Sequence, residues 1–370
     1  MPMNVERVTN AVGLRKFLKF TDKLYKNDKN YVPQMKADLK KVMKNLLLDG
    51  GGYTGLMVTE NGRVLARLAY TVAKHKQYGG IDCGFFSHFE CVNDQNAADM
   101  ILGAMCDDLK KRGVTHVEGT YFPFDQDNRR GILVEGFDKP PVLLTSYNKP
   151  YYKDLLEGFG MGKDFDTLAY AMTKETIPID RYRKVSEMAM KRYGYYIEPA
   201  DFSKIDTLVE EVGEVMKNAT TDDIFQDAPT IGALRSIVGQ WKSFLKEEFC
   251  LMARRASDGK LVGTVIAVPD FNQVFKKMKG SLNPVALVKM LYYKNKITTV
   301  RGLLQYVLPE YQNRGVALSL YIALFDECDR HGVTLIEAGT MMENNVKPNA
   351  AIKSAGGVLY KRYRLYGKKL

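Results

Sequence analysis

A short turn in the second half of the chain, Gln312-Asn313-Arg314-Gly315-Val316-Ala317, has residue types that suit the binding of a phosphate group. It follows a predicted strand that ends at Pro309, since proline has no N–H for strand pairing. An amphipathic helix follows, and a helix start offers free N–H groups and a positive dipole end. Gly315 and Ala317 would let a pyrophosphate reach the backbone, and Arg314 adds a positive charge. The alternative is that Gly315 only permits close packing of the helix on the sheet.

Other patterns that could carry chemistry are weaker. The glycine-rich Asp49-Gly50-Gly51-Gly52 is not followed by the Gly-Lys-Ser/Thr of a P-loop, so a flexible loop is favoured. The histidines His75, His88 and His116 have no helix-ligand spacing, and we therefore predict no metal site.

Composition and charge limit the class of protein. The 370 residues suffice for two domains, and 45% hydrophobic with 26% charged residues is typical of a globular chain. No apolar run approaches the roughly 18 residues that a membrane span needs, and the N-terminus lacks a signal-peptide core. The five cysteines form no C-x-x-C pair, which fits reduced thiols in a cytoplasmic protein. The net charge of +11 suits a nucleic acid, an acidic membrane, an acidic protein or a phosphorylated cofactor equally well.

The elements that must position the turn occur twice. The segment 112–120 is echoed about 219 residues later by 331–340, each with a glycine at a helix end followed by a β-branched strand. Asn148-Lys149-Pro150 is likewise echoed by Asn345-Val346-Lys347-Pro348, each opening a short helix. Both halves give the order strand, helices, three strands, helix, strand, helix, strand. We therefore predict an internal duplication with an α/β (mixed α+β) sheet, divided into domains 1–175 and 194–370 by a linker, 176–193.

The turn resembles the coenzyme A-binding motif Q-x-x-G-x-A of the GNAT acyl-CoA N-acyltransferases, and the order of elements matches that fold. The resemblance implies two tandem GNAT-like domains that use acetyl-CoA or another acyl-CoA as substrate. It implies that Val307 pairs with the pantetheine arm, that the backbone of residues 312–318 holds the pyrophosphate, and that Asn345 touches the cofactor. Asn345 as a plain helix cap is the alternative. The implied cofactor-binding residues are Val307, Gln312, Asn313, Arg314, Gly315, Val316, Ala317, Leu318 and Asn345.

The first half resembles a degenerate copy of this domain. Its cradle should lie at 91–98, where there is no glycine and where Asp94 and Asp99 would repel a pyrophosphate. We expect this half to have lost coenzyme binding. A glutamate at position 315 of the second half is expected to prevent binding in the same way and to leave the fold intact.

Acylation of an amine needs a base for the ammonium proton and an acid for the leaving thiolate. Many GNAT enzymes use a tyrosine as the acid, but the matching positions here are Ile352 and Leu156, and the strand before the cradle contains no carboxylate. The remaining catalytic candidates are Glu337, Glu343 and Tyr306. A structural role for Glu337 is an equal alternative.

We therefore predict an acyltransferase that moves an acetyl or other acyl group from coenzyme A to an amine on a small molecule or a protein, for which an acidic acceptor would suit the charge. The alternative is a non-catalytic module that binds acyl-CoA or a partner; binding of nucleic acid rests on charge alone and is disfavoured. One segment stays unexplained: 271–301 has seven Lys/Arg and no Asp or Glu, and 282–293 can form a helix with an apolar side. We interpret it as an insertion beside the substrate channel, with a solvated connecting helix as the alternative.

Overall fold

The computed structural model describes residues 2–75, 79–120, 130–219 and 230–370, and its centre is one mixed β-sheet. Within these ranges the sheet has 13 strands in the order β1-β2-β3-β4-β5-β13-β7-β12-β11-β10-β9-β8, with β6 paired to β13. The strands are β1 (Asn4–Arg7), β2 (Thr54–Glu60), β3 (Arg63–His75), β4 (Ile81–Cys91), β5 (His116–Gly119), β6 (Ile132–Glu135), β7 (Gly162–Met172), β8 (Tyr195–Pro199), β9 (Cys250–Arg255), β10 (Leu261–Pro269), β11 (Thr299–Val307), β12 (Leu335–Met342) and β13 (Val358–Lys369). The longer helices are α1 (Ala11–Leu24), α2 (Lys36–Leu47), α3 (Gln95–Lys111), α4 (Tyr152–Gly158), α5 (Ile179–Tyr193), α6 (Ile205–Ala219), α7 (Ile231–Trp241), α8 (Asn272–Met278), α9 (Pro284–Tyr293), α10 (Val316–Arg330) and α11 (Val346–Ser354).

The two halves repeat one arrangement of elements, as the sequence predicts. In the first half β2, β3 and β4 are antiparallel, and α3 carries the chain to β5, which is parallel to β4. In the second half β9, β10 and β11 are antiparallel, and α10 leads to β12, parallel to β11. The predicted α/β fold class with a mixed sheet is confirmed.

The last strand of each half is exchanged between the halves. β7, which ends the first half, pairs antiparallel with β12 of the second half. β13, which ends the second half, pairs antiparallel with β5 of the first half and also with β7. The order β5-β13-β7-β12 at the centre of the sheet therefore joins the halves through continuous backbone hydrogen bonding.

The stretch that the sequence analysis treats as a linker, 176–193, consists largely of α5. This helix packs on α10, where Arg183 pairs with Asp326 at 2.7 Å and the Ser186 hydroxyl donates to Ser319 at 2.7 Å. The connection between the halves is thus an ordered helix against the second half.

Buried charged groups of the second half hold a segment of the first half, 140–143. The Lys361 ammonium donates to the Pro140 carbonyl (2.6 Å), and the Arg301 guanidinium donates to the Leu143 carbonyl (2.5 Å). The Asp270 carboxylate accepts from the Leu143 N–H (2.8 Å). Burial raises the pKa of Asp270 to about 7 and lowers the pKa of Lys361. Charges removed from water are costly unless they are hydrogen-bonded, so this segment stabilises the three side chains as they stabilise it.

Two further findings concern the whole of the described chain. Its five cysteines are free thiols and all are buried. Within the described ranges, no helix has both the length and the apolar character needed to cross a membrane.

Candidate functional site

A cleft opens in the sheet between β11 and β12. The two strands pair from Thr299 opposite Leu335 to Gly302 opposite Ala338. Beyond that point β11 pairs with β10, while β12 pairs with β7. In the described part of the chain, strand pairing along this edge of β11 therefore ends at Gly302; residues 303–307 are half-buried, and the Gln312 side-chain amide donates to the Val307 carbonyl (3.4 Å). Such an edge presents N–H and C=O groups with which an extended, amide-containing ligand can pair.

The predicted phosphate-binding turn lies at the open end of this cleft. α10 begins at Val316 after Gly315, which has a φ of 77° and serves as the N-cap. No side chain caps this helix, and its first backbone bond is from Ser319 N–H to the Gly315 carbonyl (2.9 Å). The N–H groups of residues 316–318 therefore have no acceptor within the helix, and the exposed Arg314 lies beside them. The arrangement suits a negatively charged group.

Side chains from α5 and β8 fix the shape of the turn, and sequence reasoning missed them. The Tyr195 hydroxyl donates to the Arg314 carbonyl (3.3 Å) and also contacts the Ser319 hydroxyl (3.0 Å). The Arg314 guanidinium lies over the ring of Tyr193, 5.7 Å from its centroid. The sequence near residue 314 does not predict these contacts, because Tyr193 and Tyr195 lie more than 100 residues earlier in the chain.

Gly315 has a packing role as well as its place at the helix start. A Cβ at this position would lie 2.8 Å from the Ala189 Cβ and 3.4 Å from the Tyr195 hydroxyl, and its φ lies in the left-handed region. The expectation that Gly315→Glu leaves the fold intact is therefore wrong, since any side chain here displaces α5 or strains the backbone. A test of the turn needs another position.

Two of the catalytic candidates, Glu337 and Tyr306, lie at different depths along the cleft. Glu337 is opposite Arg301 in the closed, paired part of the two strands and is fully buried. Its Oε2 accepts a hydrogen bond from the Tyr360 hydroxyl, while its Oε1 has no hydrogen-bond partner among the described residues. Burial raises the pKa of Glu337. Tyr306 is half-buried on the free-edged part of β11, next to Val307.

Glu343, the third candidate, lies beyond the end of β12. Its carboxylate contacts the Lys163 ammonium (2.7 Å) and accepts from the Asp166 N–H (3.0 Å). These contacts extend the pairing of β12 with β7. The structure thus does not place Glu343 in one cluster with Glu337.

Asn345 is the N-cap residue of α11, but its exposed side chain makes no capping hydrogen bond. The structural asparagine is Asn349, which sequence reasoning missed. Its buried amide donates to the carbonyls of Met342 and Asn345, both at 2.7 Å, and accepts from the Tyr170 hydroxyl at 2.9 Å. Asn349 therefore holds the loop that presents Asn345.

The corresponding cleft of the first half, between β4 and β5, is closed by the protein's own side chains. At the end of β4 the Cys91 N–H donates to the Tyr152 hydroxyl, and the Tyr151 hydroxyl donates to the Cys91 carbonyl, both at 2.9 Å. Asp94 caps α3 by accepting from the N–H groups of Asn96 (2.9 Å) and Ala97 (3.3 Å). The strand edge and the helix start that would hold a ligand are both occupied.

The loop between strand and helix is also shorter in the first half. The N–H of Val92 bonds to Leu65, as that of Leu308 bonds to Val262, so Val92 and Leu308 are equivalent. One residue separates Val92 from the N-cap of α3, whereas six separate Leu308 from the N-cap of α10. The first half is therefore degenerate in length as well as in charge.

Comparison with known proteins agrees with this geometry. Residues 219–350 match the model of the acetyltransferase (GNAT) family. The chain is 24% identical over 376 residues to Protein YghO of Escherichia coli, covering 99% of this chain and 95% of YghO. It is also 24% identical over 387 residues to a protein named bacterial ceramide synthase from Caulobacter vibrioides, covering 100% and 98% of the two chains.

Among solved structures, a tandem GNAT protein from the clavulanic acid biosynthesis pathway superposes with a TM-score of 0.57 at 12% identity. The match covers 100% of this chain and 98% of that one. Residues 219–350 in the second half thus match the GNAT acetyltransferase family, and the chain as a whole has the fold of a tandem GNAT protein.

Proposed function

We propose that the chain transfers an acyl group from coenzyme A to a primary amine in the cleft between β11 and β12. The observation that supports this most directly is that the free edge of β11 and the uncapped start of α10 lie at the same end of the cleft. An acyl-CoA has an amide-rich arm for the first and a pyrophosphate for the second. A cytoplasmic location is part of the proposal, because acyl-CoA and free thiols are both found there.

In the proposed reaction, the amine nitrogen bonds to the thioester carbonyl carbon and the carbon–sulfur bond breaks. The proton lost by the amine goes to a base, and the sulfur takes a proton from an acid and leaves as the thiol of coenzyme A. Val307 would pair with the pantetheine arm, the N–H groups of residues 316–318 and Arg314 would hold the pyrophosphate, and Asn345 would contact the cofactor. Glu337 is the proposed base, and Tyr306 is the proposed acid because it is half-buried on β11 beside Val307, the proposed partner of the pantetheine arm. Glu343 is retained as the other candidate base.

For the acceptor we propose a long-chain primary amine. The basis is the relative named bacterial ceramide synthase, which matches along the full length of both chains. A ceramide is a fatty amide of a long-chain amino alcohol, so a chain of this kind would acylate a hydrophobic amine with a fatty acyl-CoA.

Binding of coenzyme A is tested at Ala317, the second residue of α10. Ala317→Glu should reduce affinity about 100-fold or more in calorimetric titration, because a carboxylate would occupy the anion site. A negative charge in the first turn of a helix interacts favourably with the helix dipole, so the melting temperature of Ala317→Glu should not be lower than that of the parent. The matched control, Ala317→Ser, is small and neutral and should bind as the parent does. If Ala317→Glu binds coenzyme A as tightly as the parent, the anion site lies elsewhere.

Catalysis is tested by thiol release from acetyl- and palmitoyl-CoA, with long-chain amino alcohols compared with short amines and lysine peptides. Faster release with the long-chain amines would support the proposed acceptor. Thiol release only with short amines would support acyltransferase activity but exclude a long-chain acceptor. Tight acyl-CoA binding without release by any amine would instead favour the non-catalytic module.

A further inference from the structure

The segment between β10 and β11 forms a pair of helices, α8 and α9, where a short turn would be enough to join two antiparallel strands. One side of α9 packs against α8 and the end of β10 through a shared hydrophobic cluster. The α9 members of that cluster are Ala286, Met290 and Tyr293, and their partners include Val268, Phe271, Val274 and Met278. α9 is thus firmly attached to the second half by one side.

The opposite side of α9 is apolar and faces solvent. Six large hydrophobic side chains in and just before this helix are between 45% and 66% exposed: Leu282, Val285, Leu287, Val288, Leu291 and Tyr292. Single exposed hydrophobic residues are common on protein surfaces, but a contiguous apolar patch usually marks an interaction site. Apart from the Tyr292 hydroxyl, these side chains offer no hydrogen-bonding group for a specific polar partner.

Positive charge lies close to this apolar side. Between Phe271 and Arg301 there are seven Lys/Arg and no Asp or Glu, and four lysines in α8 or just after α8 and α9 are exposed: Lys277, Lys279, Lys294 and Lys296. The Lys277 ammonium lies 5.6 Å from the centroid of the Tyr293 ring, at the end of α9 that Lys294 and Lys296 follow. The Lys296 ammonium lies over the Tyr292 ring, 3.7 Å from its centroid. Two copies of such a surface would repel each other, so self-association is disfavoured.

We propose that α9 docks onto an anionic phospholipid surface. The helix would lie flat, with its six exposed apolar side chains among the acyl chains and the four lysines against lipid phosphates. An apolar strip flanked by lysines is the pattern of interfacial helices, and tyrosine suits the boundary between lipid and water. An acidic protein would match the lysines but would leave the apolar strip without a specific partner group.

The docking surface is connected to the cleft. Leu303, the first free-edged residue of β11, packs against the same hydrophobic cluster that holds α9. A bilayer in contact with α9 would therefore lie near the cleft, and the cleft could take a hydrophobic acceptor directly from the bilayer. This consequence rests on the proposed function, whereas docking itself does not.

The test is co-sedimentation of the full chain with vesicles, without acyl-CoA or acceptor. We expect binding to vesicles of phosphatidylcholine with phosphatidylglycerol, weaker by about tenfold or more on phosphatidylcholine alone or in high salt. Val285→Ser with Val288→Ser and Leu291→Ser should lower binding to both kinds of vesicle. Replacing Lys277, Lys279, Lys294 and Lys296 with Gln should remove the preference for the anionic lipid.

Two control variants carry equal numbers of exposed substitutions on other elements: Val12→Ser with Val185→Ser and Val358→Ser, and Gln at Lys19, Lys110, Lys111 and Lys369. Both should sediment as the parent does, and all variants should melt at the parent's temperature because every changed residue is exposed. Absence of sedimentation with anionic vesicles, or equal loss in the controls, would overturn the proposal. Binding to an acidic protein without binding to vesicles would overturn it too and would assign α9 to a protein partner. Because no substrate is present, failure here is distinct from failure of acyl transfer.

Discussion

Glu337 combines full burial with a carboxylate oxygen that no described residue satisfies. Its Oε1 is 3.9 Å from the Arg301 guanidinium, too far for a hydrogen bond. Buried polar atoms are nearly always satisfied in native proteins, so an exception at the closed end of a cleft needs an explanation. A bound water or the acceptor amine would provide one.

We expect Glu337→Gln to lower kcat about 100-fold or more while the Kd for coenzyme A stays unchanged, as for the loss of a general base. Glutamine is nearly isosteric, and its carbonyl can still accept from Tyr360. The raised pKa of Glu337 means that the carboxylate gains its proton at a pH above the ordinary 4.5. The rate of the parent enzyme should therefore fall with decreasing pH around a value above 4.5, and Glu337→Gln should lack that step.

The comparison variants are Glu343→Gln and Tyr306→Phe. Loss of the Lys163 contact in Glu343→Gln is a surface change that should alter turnover little if Glu337 is the base. Full activity in all three variants would leave the proposed acid and base roles without support.

For single residues, the sequence predicted features formed by neighbouring positions and missed contacts between residues far apart in the chain. The turn 312–317 was found because its residue types and spacing lie within six consecutive positions. Tyr195 and Asn349 were missed because their roles depend on partners brought close only by the fold.

At the scale of elements, equivalent strands and helices of the two halves differ in what occupies their ends. β11 has no strand partner on the edge beyond Gly302, where only the Gln312 side-chain amide donates to the Val307 carbonyl (3.4 Å), and the start of α10 has no side-chain cap, while β4 and α3 have theirs filled by Tyr151, Tyr152 and Asp94. Duplication has thus kept the scaffold in both halves and the open site in one. The Tyr151 and Tyr152 hydroxyls make the hydrogen bonds to the backbone of β4 that the amide groups of a bound ligand would make.

We therefore expect calorimetric titration to give one coenzyme A site per chain. Asp94→Gly alone should not create a second, because Tyr151 and Tyr152 still occupy the strand edge and the loop before α3 stays too short. Ala317→Glu should bring the stoichiometry to zero. Residual binding of one equivalent in that variant would place the site in the first half.

The order of elements was predicted in both halves from periodicity and turn residues. The three consecutive strands of each half are β2 to β4 and β9 to β11, and the predicted helix 282–293 corresponds to α9. The four-residue strand β6 gave no usable signal. Four residues are too few for a period to be recognised, and the equally short β5 was predicted because it lies in the segment 112–120 that is echoed at 331–340.

For the whole molecule, the exchange of β7 and β13 decides which part of the chain can fold alone. A break at 175/176, the predicted domain boundary, would leave the second fragment without β7 between β12 and β13. A break before β7, at 160/161, would leave those three strands together. The exchange of β7 and β13 cannot be predicted from hydrophobic pattern or strand propensity, because the sequence of each strand would be the same if it paired within its own half.

We expect the fragment 176–370 to be poorly folded when expressed alone. The fragment 161–370 also lacks the segment 140–143 but keeps β7, so it should melt at a higher temperature than 176–370 and should bind coenzyme A. Mixing 1–175 with 176–370 should restore binding if the strands can still exchange. The measurements are thermal melting by circular dichroism and calorimetric titration. Cooperative folding of 176–370 by itself would show that β7 is dispensable to the second half.

The position of β13 beside β5 also has a consequence for a chain still on the ribosome. Roughly 240 residues separate β5 from β13, and a ribosome adds about 5–20 residues per second. For roughly 10–50 s, therefore, β5 is the edge strand of the nascent sheet, and an unpaired edge can pair with other nascent chains. Slower translation of the second half would lengthen that interval and raise the demand for chaperones, although the finished protein would be the same.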